Sequence, residues 1–280
     1  MNGPTIGAES VARSACFLGI LLTMAVWELV APRRRLTVHK SPRWFSNLGL
    51  VALNAVLVRL ILPLSVAGMA VATAARGWGL LNQWAAPLWV RFLITIIALD
   101  FVIYVQHVLF HAIPALWRLH MVHHADLDFD VTTGLRFHTI EILISTVIKI
   151  GVVLALGPPG WAVLTFEILL NGTSMFNHSN VRIPIWLDRL LRVFVVTPDM
   201  HRVHHSVDRR EANTNFGFNL PWWDFLLRTY RAQPAAGHVG MQIGVSHLRD
   251  EHRVDRLPGM LALPFAGGTG DYPICGRDKP

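Results

Sequence analysis

The run SACFLGILLTMAVWELVA, from Ser14 to Ala31, carries a single formal charge, Glu28, and that near its end. Apolar stretches of about this length cross a bilayer as helices, because lipid offers the backbone no hydrogen-bond partners and a helix satisfies its own. The basic run PRRRLTVHKSPR follows the stretch, and only Arg13 precedes it. We therefore read a membrane segment rather than a cleaved leader, with the basic run on the cytoplasmic side. A second apolar segment, from about Leu48 to Ala75, is long for one span and is interrupted by Arg59 and Pro63. Proline removes a backbone donor, so a kinked helix or a helix plus a shallow re-entrant piece is expected, with Arg59 snorkelling or facing protein. A third segment, from about Trp89 to Tyr104, leads straight into the first histidines. If the second segment goes out and the third returns, those histidines emerge in the cytoplasm.

Composition agrees. The 280 residues are 52% hydrophobic and 15% charged, with mean hydropathy +0.42, too few charges for an ordinary water-exposed surface. The formal charge of +7 and pI near 10.2 do not argue for nucleic acid, since no nucleic-acid motif accompanies the arginines, which lie beside apolar segments. An acidic lipid surface suits them better. Cys16 and Cys275 have no spacing for zinc or a disulfide framework.

Two further apolar arms, TIEILISTVIKIGVVLALG and WAVLTFEILLNGTSMF, are separated by the Pro-Pro-Gly at 158–160 and interrupted by Lys149 and Glu167. They read as a helical hairpin over 139–176 that dips into the membrane and returns the chain to its starting side. From about Val181 the chain is more polar, and after Leu257 it is rich in Gly and Pro, which reads as loop or disorder. The expected organisation is membrane helices and a basic loop over 1–99, a histidine-bearing unit over 100–230 and a tail over 231–280. The fold class is all-α: a polytopic membrane protein with about four to five membrane helices and a cytosolic histidine-rich helical cap holding a dinuclear metal site.

Ten of the 14 histidines form a pattern: His107 and His111; HMVHH, giving His120, His123 and His124; single His138 and His178; and HRVHH, giving His201, His204 and His205. Offsets of three and four residues fall on one side of a helix. Protonated imidazoles crowded this way repel, whereas neutral ones around a metal do not. One tetrahedral zinc needs four ligands, so this many imidazoles suits two ions. His39, His238, His247 and His252 stand apart and read as ordinary packed or surface residues. An all-imidazole set suits iron, copper, nickel or zinc, and a site fed from the bilayer favours iron and oxygen activation over hydrolysis.

These residues resemble the fatty acid hydroxylase and sterol desaturase superfamily of integral membrane di-iron oxygenases. The likeness rests on DFVIYVQHVLFH (100 to 111), HMVHH, GLRFHTIE (134 to 141), NHSN (177 to 180), TPDMHRVHH (197 to 205) and TNFGFNLPWWDFLLRTY (214 to 230), and covers roughly Asp100 to Tyr230. The resemblance implies that His107, His111, His120, His123, His124, His201, His204 and His205 bind two iron ions, Fe2+ or Fe3+, with His138 and His178 as additional ligands. No catalytic residue is expected beyond them. Asp100, Glu141, Asn177 and Asp199 sit beside ligands, where they would accept the second ring N–H, and Tyr104 is either such a group or an interfacial aromatic.

It also implies O2 as co-substrate, a membrane lipid as substrate, and hydroxylation or desaturation of an unactivated C–H bond. The sequence contains no dinucleotide fingerprint, so electrons would come from an external carrier, a ferredoxin-type protein or a b-type cytochrome with its reductase. Arg202, Arg209 and Arg210 are candidates to meet an acidic carrier. Two features depart from the family pattern: Val108 follows the first histidine, and the last motif reads LLRTY with Arg228. Neither removes a ligand. The rival readings are a zinc-dependent membrane hydrolase, against which the absence of an H-E-x-x-H pair counts, and a haem-binding electron carrier, to which adjacent histidines give nothing. The expected location is a bacterial inner membrane, with the histidines facing the cytoplasm.

Overall fold

Each apolar segment becomes a helix whose ends are set by local chemistry. A computed structural model describes residues 6–266 and 268–275. Helices α1 (Ile6–Val30), α2 (Lys40–Ile61), α3 (Val66–Ala75) and α4 (Leu88–Ala112) lie in the first half. The long second segment is a helix plus a short piece: α2 ends before Pro63, and Ser65 caps α3 by accepting from the Gly68 amide at 2.9 Å. Arg59 is exposed in the last turn of α2.

Helix α4 runs past Tyr104 and carries both His107 and His111. Ile113 is extended, as suits a residue before proline, and Pro114 opens α5 (Pro114–His124). The hairpin consists of α6 (Thr139–Leu156) and α7 (Gly160–Asn177). Its turn needs glycine twice: Gly157 takes a left-handed φ of 65°, and a Cβ on Gly79 would lie 2.3 Å from the Gly157 nitrogen. Two short helices follow, α8 (Ile185–Leu191) and α9 (Pro198–His204), the latter capped by Thr197.

Among the described residues, four segments are long and apolar enough to cross a membrane: Glu9–Val30, Lys40–Ala75, Leu88–Ala112 and Thr139–Leu156. Leu22, Leu60, Trp89 and Val147 on them are more than half exposed, the pattern of side chains that lipid would cover. Inside the bundle, Ala70, Leu99, Val153, Val163 and Phe166 form a buried core between α3, α4, α6 and α7. Among the described residues there is no β-strand, only isolated bridges such as Pro32 with Val181.

The C-terminal stretch differs from its loop-like composition. Short helices at Glu251–Val254 and Leu257–Ala262 are followed by a 3-10 turn, Leu263–Phe265. Met260, Leu263 and Tyr272 are buried with Trp117, Met121 and Val245 in a second core. Apolar side chains scattered among the glycines and prolines have enough area to dock the chain.

The cap is tied to the membrane helices by a buried ion network. Arg43 of α2 donates to both oxygens of Asp126 at 2.7 and 3.0 Å and to Asp130 at 2.9 Å, all three residues being at most 1% exposed. Burial would raise the Asp126 pKa, but Arg43 and Arg136 hold it down at about 2. Removing one partner strands buried charge. Arg43→Met is therefore expected to destabilise the detergent-solubilised protein by ~3–5 kcal/mol in denaturant unfolding; a loss below ~1 kcal/mol, the value of a surface pair, would contradict this role.

Candidate metal centre

The two histidine triplets each serve two sites. His107, His111, His120, His124 and His204 form one buried group, and His123, His178, His201 and His205 a second, with the ligand atoms of each group all within 4.8 Å of one another. On α5, His120 and His124 are four residues apart and project together, while His123, about 100° round the helix from His124, turns to the other group. The second triplet repeats the arrangement in mirror sense: His201 and His205 serve the second group and His204 the first. His107 and His111, also four apart, complete the first group from α4, and His178, just beyond α7, completes the second.

Fixed acceptors set the ring tautomers. The Nδ1–H groups of His107, His178 and His204 donate to the carbonyls of Phe216, Ser174 and Thr214 at 2.8, 2.8 and 2.7 Å. His111 Nδ1 donates to Asn213 Oδ1 at 3.1 Å, and His120 Nδ1 to Glu141 Oε1 at 2.7 Å. Every Nδ1 used in this way leaves Nε2 as a bare donor atom. The Nε2 atoms of His107, His120 and His204 are buried without a hydrogen-bond partner, as are both ring nitrogens of His201.

Elsewhere Nε2 atoms face each other. His111 meets His124 at 3.1 Å, and His178 meets His123 at 3.1 Å and His205 at 3.2 Å. Because Nδ1–H of His111 and His178 is already committed, their Nε2 atoms have no proton to donate. Adjacent ligands on one ion with metal–nitrogen bonds of about 2.1 Å stand ~3 Å apart, so the spacing fits shared metal ions.

Burial keeps the imidazoles in the neutral, metal-binding form. It lowers His120 and His178 to about 3, and lowers His123, His124, His201, His204 and His205 well below the ordinary value, with neighbouring histidines adding to the effect for these five. The donor set is therefore two all-imidazole clusters, each able to coordinate a metal ion.

His138 is placed apart from both groups. It caps α6, its Nδ1 accepting from the Ile140 amide at 3.2 Å, with Nε2 3.4 Å from the Leu261 carbonyl. Of the four polar residues singled out beside ligands, Glu141 reaches a clustered histidine, and the other three bond elsewhere. Asp100 accepts from the Trp223 indole at 2.8 Å, Asn177 donates to the Phe218 carbonyl at 2.9 Å, and Asp199 binds Arg33 and Arg202. Tyr104 hydrogen-bonds Thr229 at 2.9 Å. Arg202 is fully buried, held by Asp199 and the Ser179 carbonyl beside the Phe129 ring, so it offers no surface to a carrier.

Three contributors lay outside the sequence reading. Asn213 holds His111 and is itself oriented by donating to the Tyr272 carbonyl at 3.0 Å. Asp224, pushed up to about 6 by burial, accepts from the Phe216 and Gly217 amides, both at 2.8 Å, and so fixes the loop whose carbonyls hold His107 and His204. The C-terminal segment closes the first group: Tyr272 stacks on Trp117 at 5.4 Å, Trp117 lies against His111 and His124, and the Ile274 amide donates to the His111 carbonyl at 3.0 Å.

Below the first group is a cavity of about 440 Å3, reached by His107, His120 and Glu141 and running among α1, α2, α4, α6 and α7. An all-α membrane protein whose cap holds two buried histidine clusters beside a lipid-depth cavity is a defined class. Residues 92–229 match the fatty acid hydroxylase family, and the chain belongs to the fatty acid hydroxylase and sterol desaturase superfamily.

It is 27% identical over 78% of its length to ornithine lipid hydroxylase OlsE of Rhizobium tropici. It is also 29% identical over 49% of its length to alkylglycerol monooxygenase of Homo sapiens, and 27% identical over 66% to that of Xenopus tropicalis. These matches span 66%, 30% and 41% of the three relatives. No solved structure matches.

The division of the triplets gives a direct test. His123→Ala and His124→Ala, neighbours in sequence, are each expected to remove metal from a different cluster and to retain about half the wild-type content by elemental analysis, while His138→Ala and His252→Ala retain it all. Loss of metal on changing His138, or none on changing His123, would contradict the assignment.

Proposed function

We propose that the protein is a membrane-bound di-iron monooxygenase that hydroxylates the alkyl chain of a lipid: R–H, O2, two electrons and two protons give R–OH and water. The observation that carries this is the pair of all-imidazole clusters, the first of which stands at the head of a largely apolar cavity within the membrane bundle. Iron would be held by the nine clustered histidines, one ion per group, and supplies the O2 activation and C–H oxidation that side chains cannot. The names of the relatives, a lipid hydroxylase and two alkylglycerol monooxygenases, favour oxygen insertion over desaturation.

The chain's own part is positional. Glu141 and the 214–216 carbonyls hold His120, His107 and His204 in place, so the donor atoms need little reorganisation when an ion binds. Ile103, Phe110, Phe137 and Phe218 line the cavity next to the histidines; they align an alkyl chain and keep water from the oxidant. The catalytic unit is proposed to be residues 100–230, completed by the docked C-terminal segment. The basic run after α1 supports a cytoplasmic cap on a bacterial inner membrane. Electrons would come from an external ferredoxin-type or b-type cytochrome carrier, with exposed Arg210 on the cap a candidate contact.

Protein purified from iron-supplemented cells is expected to contain about two irons per chain and to consume O2 only with a reductant and a lipid present. His204→Ala is expected to lower this rate at least ~100-fold. Stoichiometric zinc under the same conditions, with hydrolysis that needs no O2, would replace this reading with that of a hydrolase.

A further inference from the structure

Arg13, Lys149 and Glu167 take no part in holding the histidines, yet they line the same cavity as His107 and His120. Glu167 accepts from Arg13 and, at 3.4 Å, from Lys149. Arg13 is also held at 3.0 Å by Glu9, which lies outside the cavity wall and accepts from Ser65 Oγ at 3.0 Å. Arg59, exposed at the end of α2, lines the cavity as well.

Helix geometry separates this charged cluster from the histidines. Lys149 lies eight residues beyond Glu141 on α6, ~12 Å along the axis, and Glu167 lies ten residues before Asn177 on α7, ~15 Å. The wall between is mostly apolar, with Ile103, Phe137, Ile142, Leu170 and Phe218. Ionisable side chains in membrane helices are costly and usually serve a ligand or a pathway. At this end of the cavity three cations, Arg13, Arg59 and Lys149, stand with one carboxylate, Glu167, the other lining carboxyl group, Glu141, being at the histidine end, and the local excess of positive charge remains when Glu9 is counted.

We propose that this charged end holds the anionic headgroup of the substrate, a carboxylate or phosphate, while its alkyl chain lies along the apolar section with a mid-chain carbon beneath His107 and His120. The inference rests on the oxygenase reading for the chemistry but not for the binding. A separation of ~12 Å corresponds to roughly nine or ten C–C bonds of extended chain, so oxidation falls far from the charged group. A neutral alcohol of equal length would fill the apolar section but bring no anion to offset the excess positive charge that Glu167 and Glu9 leave.

The test compares equilibrium binding of radiolabelled palmitate and hexadecan-1-ol to the detergent-purified full chain, with iron loaded and with iron removed. Palmitate is expected to bind at least ~10-fold tighter. The ratio is expected to approach one in Lys149→Gln and in Arg59→Gln, with hexadecanol binding unchanged. Arg59 is exposed and outside the ion-pair cluster, so its variant tests the proposal even if Lys149→Gln fails to fold.

Equal affinities in the wild type, or a preference that Arg59→Gln and a folded Lys149→Gln both retain, would overturn it. So would a product hydroxylated next to the carboxyl group. Binding is read without O2, so a protein that prefers palmitate and oxidises nothing would refute the oxygenase reading alone. One that oxidises both probes and binds them equally would refute this inference alone.

Discussion

Nine uncharged imidazoles packed nitrogen to nitrogen in a dry interior are the constraint on which the cap depends. A buried ring nitrogen without a partner costs ~1–3 kcal/mol, and the Nε2 atoms of His107, His120 and His204 are in that state. A cation between them reverses the sign, so the groups that fix each ring serve folding and metal binding together. The elements that supply those groups, the Ser174 carbonyl of α7, the 214–216 loop, Glu141 of α6 and Asn213, are drawn from across the chain. Asp224 and the Tyr272 carbonyl then hold the loop and Asn213. Much of the cap is support for ring orientation.

The H-x-x-H-H spacing explains itself once the groups are seen. An i, i+4 pair gives two ligands to one ion, and the residue at i+3 lies far enough round the helix to reach a second. One triplet would build a pair and leave a single ligand unused. Two triplets, facing each other, each supply the other's deficit, with His123 joining His201 and His205, and His204 joining His120 and His124.

Spacing made the histidine pattern, the hairpin and the break at Pro63 legible in the sequence. Polar residues near ligands were less legible because adjacency in sequence is not adjacency on a helix. Asp100 precedes His107 by two helical turns, on the same face but ~10 Å away along the axis, and it bonds Trp223. Asn177 and Asp199 turn from the clusters for the opposite reason, being one and two residues from His178 and His201 and so rotated to other faces. The carbonyls of Ser174, Thr214 and Phe216 left no trace, since a main-chain acceptor has no residue identity. The C-terminal segment was misread because its glycines and prolines mask the few apolar residues, Met260, Leu263 and Tyr272, that dock it.

Helices α4 and α6 join the lipid to the metal site, because each is both a membrane segment and a carrier of site residues: His107 and His111 on α4, Glu141 on α6. The depth of the cavity and the position of the donor atoms are consequently set by the same rigid rods, not by loops that could drift apart. One residue added to α6 between Glu141 and Lys149 would lengthen the separation by about 1.5 Å and rotate one end by about 100° relative to the other. If the cavity holds an alkyl chain as proposed, such a change would alter which carbon is reached only by also breaking the wall of the cavity. Under the proposed binding mode, regiochemistry would thus be harder to change through helix length than through the side chains at either end.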